Sequence, residues 1–281
     1  MPTIYIAGST SGCGTTAVAT GLATLLAKHG RAVTLAKALR VDSSTSQDVD
    51  SAFHHKIFPN NVTPTGWPIS LKQLPSNRLL DEVVSSLKST DLPPGITIVE
   101  GVSGDISDDD RKQIDATLAR ALDSQVILVS NDASSFETQA YNGQIIGVIV
   151  NGVPVHSMHD VEMISAARAQ QQGIPILGLL PESRRMLSPS VSDVAAQLGA
   201  ELINRAALNS PEIQLGELVE YFMLGGWFLD HGAYVFGRRD NKAVIVRGDR
   251  PDLQMAALDT STVCPVSYTH LRAHETEAAL V

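Results

Sequence analysis

The sequence predicts an α/β fold in which a parallel sheet carries helices on both faces, followed by a second, smaller α/β domain. Short apolar strands alternate with amphipathic helices as far as about residue 204. The strands are nearly continuous apolar runs, as expected where helices cover both faces of a sheet. A loop of small residues follows the first strand and opens the first helix, an arrangement typical of folds that bind phosphate.

Composition narrows the class of protein. The chain has 281 residues, of which 43% are hydrophobic and 18% charged, so it is globular, not disordered or fibrous. The net charge of −9 argues against binding to nucleic acid or to an anionic membrane surface. Two cysteines provide neither a disulfide framework nor a metal cluster. No apolar run reaches the ~18 residues of a membrane span, and no signal peptide is recognisable, so we expect a cytoplasmic protein.

The first elements form one right-handed βαβ unit. A strand at 4–7 leads through the loop 8–16 into a helix at 17–28, and a second strand at 31–36 ends at Lys37. The alternation then continues. Further strands are predicted at 96–99, 126–129, 145–150 and 176–180, and further helices at 111–122, 158–172 and 191–198.

The domain limits follow from breaks in this pattern. We predict a first domain at 1–204 and a second at 205–264, where shorter elements surround glycine-rich turns. Residues 43–77 are polar and proline-rich, and we expect a long irregular insert there. Residues 265–281 read like translated sequencing-adapter DNA, so we expect a non-native tail and a truncated second domain. The alternative for the tail is a natural disordered segment.

The loop after the first strand is the main candidate binding site. Small residues allow backbone N–H groups to point inward at an anion, and the helix N-terminus adds positive potential. A Walker A loop ends in Gly-Lys-Ser or Gly-Lys-Thr, but this chain has Gly14-Thr15-Thr16 and therefore lacks the lysine. The alternative is a plain strand-to-helix turn that binds nothing. The candidate nucleotide-binding residues of the loop are Gly8, Ser11, Gly12, Cys13, Gly14, Thr15 and Thr16.

The first domain resembles dethiobiotin synthetase and its relatives. Residues 4–21 are similar to the start of that family, in which five residues separate the first loop glycine from the Gly-Lys-Thr, and Gly8 and Gly14 have this spacing. Three later segments match in order. They are Val-Glu-Gly-Val-Ser-Gly at 99–104, Gly-Val-Ile-Val-Asn at 147–151 and Gly-Leu-Leu-Pro at 178–181.

This resemblance implies ATP and Mg²⁺ as cofactors, and it implies roles for single residues. Glu100 and the Thr16 hydroxyl would hold magnesium, with Asp48 or Asp50 near the position of an acidic metal ligand. Asn151 would meet the adenine base. Lys37 resembles a catalytic lysine of the family, although Ala-Leu follows it here where the family has Pro-Val.

Each of these roles has an alternative from the residues alone. Lys37 either moves into the space of the missing loop lysine or is an exposed strand-end lysine. Glu100 ends a buried strand, where a carboxylate needs a metal, a partner or solvent, so the alternative to a metal or phosphate site is a solvent-facing strand end. Asn151 precedes Gly152, and Asn-Gly is a strong turn pair.

Further polar residues are expected to have ordinary roles. We expect Cys13 to have a lowered pKa, because it lies near a helix N-terminus. His54 and His55 lack ligand partners at metal spacing, which favours a solvated surface. The aspartates at 108–110 precede a helix, and we expect them to cap it and to complement its dipole.

The second domain resembles the start of a DRTGG domain, on the residues at 224–226 and 243–258, although the five-letter motif itself is not present. The order of the two domains is that of the N-terminal part of long phosphotransacetylases. The resemblance covers residues 1–264 and implies an adenine-nucleotide-binding regulatory or sensory module, for which we expect a homodimer. Because the loop lysine is missing, we expect little ATPase activity. The alternatives are an ATP-dependent ligase that activates a carboxylate and a dimerisation scaffold that binds no nucleotide.

Overall fold

The computed structural model describes residues 2–41, 49–58, 68–72, 77–89, 94–104, 106–141, 143–203, 215–226, 232–271 and 275–280. The chain divides into two compact units, Met1–Glu182 and Ser183–Val281. Among the helices of these described stretches, none is long and apolar enough to cross a bilayer.

The first unit alternates strands and helices. Its strands are β1 (Thr3–Gly8), β2 (Val33–Lys37), β3 (Leu39–Val41), β4 (Ile69–Leu71), β5 (Ile96–Glu100), β6 (Ser103–Gly104), β7 (Gln125–Ser130), β8 (Ile145–Val153) and β9 (Ile176–Pro181). Its helices are α1 (Thr15–Lys28), α2 (Val49–Ile57), α3 (Asn77–Lys88), α4 (Asp108–Ala121) and α5 (Met158–Gln172).

Six parallel strands form the main sheet, in the order β2-β5-β1-β7-β8-β9. The register aligns Ile6 of β1 and Lys37 of β2 with Glu100 of β5. Gly8 of β1 aligns with Val129 of β7. Because parallel strands end at one edge of the sheet, this register brings the start of the loop, Lys37 and Glu100 to the same edge. A small parallel sheet, β4-β3-β6, continues beyond it.

Helices cover both faces of the main sheet, as predicted. On one face Tyr5 and Val99 pack in a core with Leu118 of α4. On the other face Ile6 packs in a core with Val18 of α1. The neighbours Tyr5 and Ile6 point to opposite faces, as successive residues of a strand must. Their burial on both faces explains why the strands are continuously apolar.

The predicted irregular insert at 43–77 is wrong where the structure describes it. Residues 49–57 form α2 and residues 69–71 form β4, while most of the remaining insert lies outside the described residues. Helix α2 is polar and lacks a clear apolar stripe, so local pattern did not reveal it. Tertiary contacts stabilise this helix instead. His54 is buried, and Phe58, which follows the helix, packs against the core that contains Val18 of α1.

The second unit is also α/β. It contains α6 (Val191–Leu198), β10 (Glu201–Leu202), β11 (Tyr221–Gly225), α7 (Gly232–Phe236), β12 (Lys242–Arg247), α8 (Pro251–Leu258), β13 (Thr262–Leu271) and β14 (Glu275–Leu280). The sheet order is β10-β14-β13-β12-β11, with β13 and β14 antiparallel and the other pairs parallel.

The boundary between the units precedes the predicted boundary at 204. The reason is that Val191 and Val194 of α6 pack in one core with Val219, Ala243 and Val266. Helix α6 therefore belongs to the second unit, although it continues the βα alternation of the first. The expected non-native tail, 265–281, includes the paired strands β13 and β14, and its origin stays a prediction.

Candidate functional site

The loop after β1 is shaped by two glycines and held by the neighbouring strand. Gly12 and Gly14 have φ of 71° and 94°, which favour glycine. The Ser9 backbone N–H donates to the Val129 carbonyl at 2.9 Å. Helix α1 begins after Gly14 without a side-chain cap. The first N–H groups of α1 are therefore available to an external acceptor, as in an anion-binding helix N-terminus.

Asn151 closes one side of the loop. Its Nδ2 donates to the Cys13 carbonyl at 2.9 Å. A Cβ built on Gly14 would lie 2.2 Å from that nitrogen, so only glycine fits there. The alternative of an Asn-Gly turn is wrong, because Asn151 and Gly152 both belong to β8, where the register shifts between Val150 and Val153. The predicted adenine contact of Asn151 stays a prediction.

Glu100 lies buried beside the start of α1, with 2% of its surface exposed. The Thr16 hydroxyl donates to Glu100 Oε1 at 2.5 Å, and the Thr15 hydroxyl lies 3.3 Å from the same oxygen. The alternative of a solvent-facing strand end is therefore wrong.

Lys37 joins this cluster. Its side chain is fully buried, and its Nζ forms an ion pair with Asp50 and lies 3.4 Å from Glu100 Oε1. The alternative of an exposed lysine is wrong. A buried ammonium group needs compensating negative charge, which the two carboxylates supply. Asp50 Oδ1 also lies 3.4 Å from the Thr16 hydroxyl oxygen. Asp48, predicted as a metal ligand, lies outside the described residues.

His54 is a site residue that sequence reasoning missed. It is 3% exposed, and its Nε2 lies 3.3 Å from Glu100 Oε2. The predicted solvated surface is therefore wrong for His54. One signal was available. Asp50 and His54 are four residues apart on α2, and residues at this spacing share one face of a helix.

The pKa of Glu100 is set by its burial and by the charges beside it. Burial raises the pKa of this carboxyl above its usual value, while the Lys37 ammonium acts in the opposite direction and Asp50 adds to the rise. The ionised form thus depends on a nearby cation. Lys37 fills that role in this structure.

The acidic start of α4 contacts the other side of the loop. Asp108 Oδ1 accepts a hydrogen bond from the Ser11 backbone N–H at 3.0 Å. The cap of α4 is Ser107, whose hydroxyl accepts from the Asp110 N–H, so the prediction that the aspartates themselves cap the helix is wrong. They occupy its first turn, where negative charge complements the helix dipole.

Comparison with known proteins identifies the family. The family model described as the CobQ/CobB/MinD/ParA nucleotide binding domain, CbiA, matches residues 4–191. The chain belongs to the CbiA family. The match covers the six-stranded sheet and the loop, so the first unit is a nucleotide-binding domain of the P-loop NTPase type.

Curated relatives of this CbiA protein include two phosphate acetyltransferases. That of Nitrosomonas europaea is 24% identical over 196 residues, which are 64% of this chain and 27% of the relative. That of Pseudomonas putida is 24% identical over 233 residues, 73% of this chain and 33% of the relative. The chain thus spans about a quarter to a third of the length of these relatives.

Solved structures similar to this CbiA protein include a cell division protein and a signal recognition particle protein, both at low identity. The cell division protein FtsY of Thermotoga maritima is 15% identical with a TM-score of 0.42, over 65% of this chain and 62% of that one. The signal recognition particle 54 kDa protein of Aeropyrum pernix, in complex with GDP, is 14% identical with a TM-score of 0.40, over 65% and 42%.

Cys13 of the CbiA loop differs from its prediction. The thiol is buried, and burial raises its pKa, although hydrogen bonds with the loop backbone partly oppose this. The expected lowering of the pKa by the helix N-terminus is therefore wrong. Desolvation outweighs the backbone hydrogen bonds and the charge of Arg111, both of which favour the thiolate.

The oxygen atoms around Thr16 suit a magnesium ion by their chemistry. The Thr16 hydroxyl and the carboxylates of Glu100 and Asp50 are hard oxygen donors of the kind that Mg²⁺ prefers. Within the described part of the chain, no group of three or more His, Cys, Asp and Glu residues forms a metal site. Magnesium at this CbiA loop would therefore need further oxygen ligands, which nucleotide phosphates provide.

Proposed function

We propose that the first unit binds an adenine nucleotide with magnesium and acts as a regulatory module that hydrolyses ATP slowly or not at all. One observation carries the proposal. The Lys37 ammonium and the Thr16 hydroxyl both lie against Glu100 Oε1, at 3.4 and 2.5 Å, at the end of the loop where α1 begins. A cation is thus present at the loop, although position 15 holds threonine.

The loop residues have complementary roles in this proposal. The N–H groups at the start of α1 bind phosphate oxygens, helped by the helix dipole. Gly12 and Gly14 keep the backbone accessible, and Thr16 with Glu100 would hold magnesium. When bound, magnesium supplies positive charge to the phosphates. Asn151, at the loop edge, is the candidate for the adenine base.

Slow hydrolysis follows from the charges at the loop. Phosphoryl transfer depends on positioning and on neutralising the charge that develops on the transferred group. A Walker A lysine places a mobile ammonium directly on the phosphates, but Thr15 cannot. Lys37 is held by Asp50 and Glu100, which offset its charge. We therefore infer binding without rapid turnover.

The name of the curated relatives supports a place in acyl-phosphate metabolism. The two relatives are phosphate acetyltransferases, and this chain corresponds to about a quarter to a third of their length. We propose that it is related to a regulatory region of such enzymes, with residues 205–264 forming a DRTGG-like domain. The homodimer and the cytoplasmic location also stay predictions.

A titration of ATP with and without magnesium, followed by a phosphate-release assay, tests the function. Binding without release supports the regulatory module. Binding with release at the rate of an intact P-loop enzyme supports the ligase alternative. The absence of binding supports the scaffold alternative.

The variant Lys37→Ala tests the central residue. Because charge-assisted hydrogen bonds contribute about 1.5–3 kcal/mol, we expect ATP affinity, measured by calorimetry, to fall roughly tenfold or more. Lys28→Ala is the control, since Lys28 is an exposed lysine in the last turn of α1. Lys37→Arg should recover part of the affinity. Unchanged affinity in a folded Lys37→Ala protein would refute the role of this cation.

A further inference from the structure

The Asp108 carboxylate accepts a hydrogen bond from a backbone N–H group of the loop. The Ser11 N–H donates to Asp108 Oδ1 at 3.0 Å, across ninety-seven positions of sequence. The Asp108 side chain is 45% exposed and lies in the first turn of α4. A carboxylate at such a position accepts the hydrogen bond that an anionic ligand of the loop would accept. It can also turn further into solvent, because nearly half of its side chain is already exposed.

A buried guanidinium group lies against the same carboxylate. The Arg111 side chain is 8% exposed, and its Nε lies 3.7 Å from Asp108 Oδ1. Its Nη1 donates to the Val102 carbonyl at 2.8 Å. Nε and Nη2 are buried and have no hydrogen-bond partner among the residues that the structure describes. Buried charged donors without an acceptor are costly, so this guanidinium group favours an anionic acceptor beside it.

We propose that Arg111 and the Ser11 N–H together form a binding site for a phosphate oxygen of the nucleotide, and that Asp108 holds this site in the unliganded protein. This rests on the proposed function, since the ligand is the anionic tail of that nucleotide. The guanidinium group provides planar, paired donors suited to phosphate oxygens. Arg111 thereby adds a second cation, after Lys37, to a loop that lacks the Walker A lysine.

The proposal assigns opposite effects to the two side chains. Asp108 competes with the ligand for the Ser11 N–H and repels a phosphate, so its removal strengthens binding. Arg111 attracts the phosphate, so its removal weakens binding. A purely structural role of Arg111, as the partner of the Val102 carbonyl, would alter stability and leave the affinity for a polyphosphate unchanged.

Calorimetric titration with tripolyphosphate, and separately with ATP, tests the site. We expect Asp108→Ala to raise the affinity for both roughly fivefold to tenfold, because a competing hydrogen bond and a like charge are both removed. The matched control is Asp109→Ala, which removes the same charge from the same turn at a side chain that is 89% exposed. Affinity in this control should change less than twofold.

The arginine is tested in parallel. Arg111→Met should lower the affinity for tripolyphosphate at least tenfold, with Lys112→Met as the control. Arg111→Lys, which keeps the charge, should bind between wild type and Arg111→Met, and it replaces Arg111→Met if that variant fails to fold. Thermal unfolding of each variant separates lost stability from lost affinity.

The outcomes distinguish this inference from the proposed function. Stronger tripolyphosphate binding by Asp108→Ala without any preference for ATP supports the phosphate site and contradicts the adenine-nucleotide function. If the wild type binds ATP, and Asp108→Ala and Asp109→Ala bind it with the same affinity as the wild type, the inference is overturned while the proposed function stands. Absence of tripolyphosphate binding in every variant overturns it as well, as does Arg111→Met with lower stability and unchanged affinity.

Discussion

At the residue scale, Asp115 shows how a buried carboxyl supports the site without touching the loop. It is fully buried in α4, and its Oδ1 accepts from the Tyr5 hydroxyl at 2.7 Å and from the Val102 N–H at 2.8 Å. Gly101 packs on it, since a Cβ there would lie 3.0 Å from both carboxyl oxygens. Asp115 thus fixes the segment that follows Glu100.

Burial raises the pKa of Asp115 to about 7, although its hydrogen bonds act in the opposite direction. The folded protein therefore keeps a proton that the unfolded chain releases near pH 4. Stability contributed by this proton is complete below pH 4, decreases as the pH rises toward 7, and is lost above it. Burial raises the pKa of Glu100 as well, in the same direction.

The variant Asp115→Asn should remove this pH dependence, because the amide keeps the acceptor oxygen and does not titrate. We expect the wild type to lose up to about 4 kcal/mol of unfolding free energy between pH 4 and pH 7.5, and the variant to lose clearly less. Urea denaturation at several pH values measures this. Parallel curves for the two proteins would contradict a raised pKa at this position.

At the scale of elements, the loop and β8 are fitted to each other at a single contact. Gly14 ends the loop with φ of 94°, and Asn151 of β8 fills the space where its Cβ would be. Gly12 has a similar φ of 71°, but a Cβ there would meet nothing within 4 Å. A substitution would therefore strain the backbone at both positions, whereas of these two only Gly14 would add a steric clash.

We expect Gly14→Ala to destabilise the protein by about 1–3 kcal/mol more than Gly12→Ala, since overcrowding adds to the strain that both share. Denaturant unfolding of the two variants measures the difference. Asn151→Ala should relieve the clash, so the double variant Gly14→Ala/Asn151→Ala should be more stable than the sum of the single changes predicts. Additive changes would show that Asn151 does not limit this position.

At the scale of the whole molecule, each unit has hydrophobic cores of its own among the described residues. Leu118 of α4 is fully buried in a core of the first unit. Phe236 of α7 is fully buried in a core of the second. Separate cores favour separate unfolding transitions.

Leu118→Ala and Phe236→Ala should therefore each lower the midpoint temperature of one calorimetric transition and leave that of the other unchanged. The expected cost is about 2–5 kcal/mol for the first and about 3–5 kcal/mol for the second. ATP with magnesium should raise the midpoint temperature only of the transition that Leu118→Ala affects, because the ligand binds the folded first unit. A single transition that moves with both variants would show one cooperative structure.

The residue pattern alone predicted the alternation of strands and helices in the first unit, the glycine loop, and the absence of its lysine. These are local features, because apolar periodicity and backbone freedom are properties of short segments. The same pattern put Lys37 and Glu100 each at the end of a predicted strand. Helix α2 was missed, because its polar residues are stabilised by contacts with the sheet edge instead of by their own periodicity.

The folded structure was needed to reveal the remaining features. It placed His54 beside Glu100 and Asp108 on the Ser11 N–H, and it raised the pKa of Cys13 where the helix terminus alone predicted a decrease. It also assigned α6 to the second unit. In each case the deciding quantity was burial or a contact between residues far apart in the chain. Desolvation and long-range packing depend on the whole fold, and no short segment encodes them.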